Sequence, residues 1–170
     1  MAKTSPLDLV NRLTLQHSAR TAVAAMAAIV VARLFALPET YWAALTTLIV
    51  MQSELGDTLG ISVRQLVGTV LGVAVGTLLA EYFGSNLLAF GGGLFLLGVL
   101  CPLVARTHQR LPEYLDKTAY RYASVALIIV MLVVRYNSAW VVALHRFIEV
   151  SIGITVGLVL TLLWPEREHV

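Results

Sequence analysis

"WVVALHRFIEVSIGITVGLVLTLLW", residues 140–164, is almost unbroken apolar sequence, yet it carries Arg146 and Glu149 three residues apart. Read as a helix rising about 1.5 Å per residue, it is long enough to cross a hydrocarbon layer of about 30 Å. If the helix starts at Trp140, Arg146 lies about 9 Å in and Glu149 about 13 Å in. A charge near the bilayer centre costs about 2.5–3.5 kcal/mol or more. Arg146 can snorkel, but Glu149 is too short and too deep. Spacing of three puts both on one helix face, where they can pair, and that face must meet protein or water rather than lipid. His145 adjoins them. Two explanations stand at this point: an ion pair that locks helix packing, or a polar element on a conduction or binding route.

The rest of the chain agrees with a membrane setting. Its 170 residues are 58% hydrophobic and 13% charged, with a mean hydropathy of +0.82. A soluble domain carries about a quarter charged residues. The two lysines, Lys3 and Lys117, form no basic run, which argues against a nucleic-acid partner. One cysteine, Cys101, excludes an internal disulfide and any multi-cysteine metal site, and its apolar neighbours predict a packing role. Residues 1–17 lack the long apolar core and small-residue cleavage site of a signal peptide, so the first spanning segment is expected to act as the insertion signal.

Working backward, hydropathy predicts six segments at about 18–36, 41–52, 64–82, 86–105, 119–135 and 140–164. Residues 1–17 read as an amphipathic helix at the interface, started by "SPLD" at 5–8, and 166–170 as a tail. The second segment is odd. Its apolar part, Tyr41–Met51, reaches only about 17 Å, so polar "QSELGDTLGISVRQ" must extend it or neighbouring helices must cover it. With the N-terminus inside, Lys3, Arg12, Arg20, Arg64, Arg106, Arg110, Lys117, Arg121 and Arg167 fall on the inner side. Arg33 and Arg135 fall outside. The positive-inside bias therefore predicts both termini in the cytoplasm.

The two halves, about 18–82 and 86–164, share an order of features. Shifted by 80, "WAALTTLIVM" at 42–51 meets "YASVALIIVM" at 122–131; shifted by 81, Gly72 and Gly76 meet Gly153 and Gly157. Three segments per half means the second half enters the membrane inverted, a 3+3 inverted repeat of the kind many transporters use. Gly68, Gly72 and Gly76, and Gly153 and Gly157, each recur at four-residue spacing, a close-packing face in membrane helices. Arg64 and Arg146 sit near the starts of the third and sixth segments, and two cations at opposite mouths suit an anionic solute. A lipid-headgroup contact explains Arg64 equally well. Tyr41 and Trp42 read as interfacial belt residues or as a stacking surface, and Thr47 and Gln52 add polar groups to the short segment. No phosphate loop, HExxH, GxSxG or paired metal-ligand spacing occurs, so neither an enzyme, a metal nor a cofactor is expected.

The stretch 41–80 resembles the fusaric acid resistance (FUSC) and aromatic acid exporter family, in its aromatic-led helix, its "GDTLG" loop, and the Arg followed by "GTVLG". "RFIEVSIGITVGLVLTLLWP" at 146–165 looks like the closing helix of that family, and its plant relatives, the aluminium-activated malate channels, are similar in the membrane part. The resemblance implies an all-α, six-helix module of a bacterial inner membrane that exports aromatic or other organic acids, often beside a periplasmic adaptor. Typical members are longer, with cytoplasmic domains or a second module. Only five residues follow Pro165 here, so a homo-oligomer, dimer or larger, is the expectation over an adaptor partnership. Arg146, Glu149, Arg64, His145, Tyr41, Trp42, Thr47 and Gln52 are the candidate solute contacts. The competing classes are a passive anion channel and a membrane scaffold that transports nothing.

Overall fold

In the computed structural model, residues 6–52, 55–107, 115–132 and 138–164 are described. They form six helices and no strand: α1 (Pro6–Leu34), α2 (Tyr41–Val50), α3 (Leu55–Phe83), α4 (Leu87–Thr107), α5 (Leu115–Leu132) and α6 (Ala139–Leu163). Hydropathy predicts six spanning segments. Four described helices are long and apolar enough to cross a membrane: Leu15–Leu34, Leu55–Phe83, Leu87–Val104 and Ala139–Leu163. Tyr41–Val50 and Thr118–Leu132 are shorter.

Four boundaries differ from the hydropathy reading, one of them the start of α5 at Leu115, four residues before the expected 119. α1 runs without a break from Pro6, so the amphipathic start and first apolar segment are one helix; Ser5 and the side chains at 6–14 lie outside the described residues. α2 stops at Val50, where Met51 turns extended (φ −71, ψ 115). Most of the polar stretch 52–65 then joins α3, which starts nine residues before the expected 64. Polarity misleads the boundary because polar side chains interrupt hydropathy but not the backbone hydrogen bonds of the helix.

The chain divides into two compact units. The first comprises 1–60 and 152–170, the second 61–151. In the first, α1 packs on α2. Arg20, Ala24, Ala28 and Ala32, four apart, form the buried stripe of α1. α1 ends in a Schellman turn: Leu37 N–H donates to Ala32 O at 3.2 Å and Ala36 N–H to Arg33 O at 2.9 Å, with Ala36 at φ 53. Pro38 follows.

In the second unit, α4 packs on α5, and Val75, Leu97, Cys101, Ala123, Leu127 and Met131 form the apolar core. Cys101 is buried there, in the packing position expected of it. The start of α6 joins this unit through Ala139 and Ala143, which cluster with Val130 of α5 and with Val73 and Ala80 of α3.

Candidate functional site

Both expected glycine faces are helix contacts, and each meets a different partner. In the first unit α6 lies on α2. A Cβ on Gly153 would fall 2.5 Å from Ala43 O and 2.6 Å from Thr46 Cβ, and one on Gly157 would fall 2.8 Å from Val50 Cγ2. In the second unit α3 lies on α5. A Cβ on Gly72 would strike Ala123 O and fall 2.8 Å from Ala126 Cβ, and one on Gly76 would fall 3.1 Å from Val130 Cβ. Gly68 meets Ala119 O and Tyr122 in the same way. The absence of side chains lets the backbones approach. Thr47, expected as a solute contact, is fully buried in the α2–α6 contact, its Oγ1 lying 2.9 Å from Ala43 O and 3.0 Å from Gly153 O.

Polar residues inside an apolar helix set are the candidate site, because each must be compensated by protein or water. In the second unit, Arg146 and Glu149 are only 6% and 2% exposed. Ser62, Gln65 and Thr69 of α3 are equally deep, at 3%, 2% and 2%. Hydropathy passes over these three, although their 3- and 4-residue spacing marks one helix face. Val73, four residues beyond Thr69, continues that face and packs on the cluster of Val130 of α5 with Ala139 and Ala143 of α6. Arg146, three residues after Ala143, continues the corresponding face of α6. Arg146 and Glu149 are thus buried in the same unit as Ser62, Gln65 and Thr69.

Arg64 does not share the α3 face. It precedes Gln65 by one residue and so lies about 100° round the helix. It is half-buried, and its charge, with that of Arg121, acts on Tyr122 of α5. His145 is half-buried beside Arg146.

The remaining expected residues lie in the first unit. Tyr41 and Trp42 are stacked at a tilt, ring centroids 5.3 Å apart, and Trp42 Nε1 donates to Glu39 Oε2 at 2.7 Å. Gln52 contributes backbone rather than amide: its carbonyl accepts from Arg20 Nη2 at 2.6 Å, and its N–H donates to Thr58 Oγ1 at 3.1 Å. Arg20 Nη1 also donates to Trp164 O at 3.0 Å. Arg20 is 0% exposed, although charge counting assigns it simply to the inner surface. It sits where α2 and α6 end, and a cation there satisfies orphan carbonyls and the negative ends of two helix dipoles. Among the described residues no cluster of His, Cys, Asp and Glu could hold a metal.

A buried Arg–Glu face, close-packed glycine helices and four long apolar helices are thus present together. The fusaric acid resistance protein family model matches residues 14–169. The chain belongs to the FUSC family. This FUSC protein is accordingly a multi-pass membrane protein of a family linked to transport and resistance. No curated protein and no solved structure matches it.

Proposed function

We propose that this FUSC protein carries small organic anions, aromatic or other carboxylates, across the membrane in the direction of export. The observation that carries the proposal is the burial of Arg146 and Glu149 within α6, a helix apolar and long enough to span the bilayer. Arg146 supplies a planar donor fork suited to a carboxylate. Glu149, on the same face, orients that guanidinium or relays protons, and Arg64 attracts anions at the inner mouth. A bacterial inner-membrane location with both termini cytoplasmic, and assembly as a homo-oligomer, belong to the same proposal, with a periplasmic adaptor as a further partner.

The glycine contacts support a 3+3 inverted repeat. Gly153 meets Ala43 and Thr46, and Gly157 meets Val50; in the other half Gly72 meets Ala123 and Ala126, and Gly76 meets Val130. Shifts of 80 and 81 residues carry one set onto the other. Each half thus lends its glycine helix to the aromatic-led helix of its counterpart, as a duplicated, interlocked module would.

The test is flux of benzoate from liposomes holding the purified protein. Wild type should release it, and folded Arg146→Ala should not. Undiminished flux through Arg146→Ala removes the site assignment. No flux through wild type points to a scaffold, and unitary currents to a passive channel.

A further inference from the structure

Resting on the transport proposal above, we infer that Ser62, Gln65 and Thr69 are the uncharged half of the anion site and make it select singly charged carboxylates over dicarboxylates.

Three observations carry this. Each of the three side chains is more than nine-tenths buried in a spanning helix, in the same unit as Arg146 and Glu149. Ser62 Oγ makes no hydrogen bond among the described residues. A buried hydroxyl in that state costs about 1–3 kcal/mol, and a polar solute beside it would recover that. Lastly, Arg146 and Glu149, one of each sign, are the buried charges among the described residues of this unit.

Charge counting then sets the selectivity. A carboxylate that reaches the Arg146 guanidinium takes a place there in competition with Glu149. The site then holds one excess negative charge. Two hydroxyls and one primary amide, buried on α3 in the same unit, can donate to whichever carboxylate is displaced. A dicarboxylate brings a second excess charge for which the described residues of the unit hold no further fully buried cation. A buried anion without a counter-ion is strongly disfavoured. Neutral donors also suit passage, because they bind an anion at several points without trapping it as further arginines would.

The experiment compares benzoate with terephthalate at neutral pH, where the first carries one charge and the second two. Both are followed in liposomes holding the full chain. Wild type should move benzoate about ten-fold faster or more. Gln65→Arg adds a cation to the stripe and should move the ratio toward terephthalate, while Gln65→Leu should slow benzoate about ten-fold at unchanged fold. Equal wild-type rates for the two probes overturn the inference and leave transport standing. If neither probe crosses, the transport proposal falls, and the inference is decided by binding. Benzoate should then raise the melting temperature of wild type but not of Arg146→Gln, and terephthalate should raise neither. Equal shifts, or none, overturn it.

Discussion

The guanidinium of Arg20, in the first helix, donates to the backbone carbonyl of Trp164, 144 residues further along, at 3.0 Å, and to that of Gln52 at 2.6 Å. A single buried cation thereby closes the ends of α2 and α6. In a membrane interior those carbonyls have no water to turn to.

Arg20→Met should therefore destabilise the protein by about 3 kcal/mol, since it removes charged hydrogen bonds and leaves buried acceptors. Arg20→Lys keeps the charge but not the two-pronged reach, and should recover only part of the loss. Thermal unfolding in detergent, followed by near-UV circular dichroism, measures both. Melting of Arg20→Met together with wild type would remove the role.

The glycines divide by what surrounds them. Gly153→Ala places a methyl against Ala43 O and Thr46, and Gly72→Ala against Ala123 O. Each should cost about 1–3 kcal/mol by overpacking. A methyl added at Gly56 or Gly92 would meet nothing within 4 Å, so alanine there should be neutral or stabilise by up to about 1 kcal/mol. Denaturant midpoints of the four variants provide the comparison.

Ala36 holds φ 53 at the end of α1. Left-handed backbone costs an alanine about 1–2 kcal/mol relative to glycine. Ala36→Gly should raise the melting temperature without altering flux, offset in part by the greater freedom of glycine in the unfolded chain.

Removing one of two charges from a buried face is worse than removing both. Arg146→Gln and Glu149→Gln should each lower stability by about 3 kcal/mol, and the double variant by less than the sum. A double-mutant cycle on unfolding free energy reads the coupling. Strict additivity would show that the two charges act separately.

Three places separate what the sequence displays from what it hides. Arg146 and Glu149 are legible because an ion-pair face in an apolar helix has few explanations, and both are buried as that logic requires. The stripe of Ser62, Gln65 and Thr69 is equally available as spacing. It is hidden by a hydropathy window, which averages over all faces of a helix and so ends the segment where a single face turns polar. The burial of Arg20 cannot be found at all. Its partners are the backbone carbonyls of Gln52 and Trp164, which carry no sequence signal.

The sequence alone determined that the chain is helical and membrane-bound, because apolar runs of this length have no other stable setting and every backbone group in lipid must be satisfied within its own helix. It also determined which helices approach closely, since glycine at four-residue spacing permits contact that larger side chains forbid. Only the tertiary structure decided which partner each glycine face meets, where α2 stops, and that Arg20 goes to the interior. Those outcomes depend on backbone atoms brought together from distant parts of the chain, and every residue type carries the same backbone.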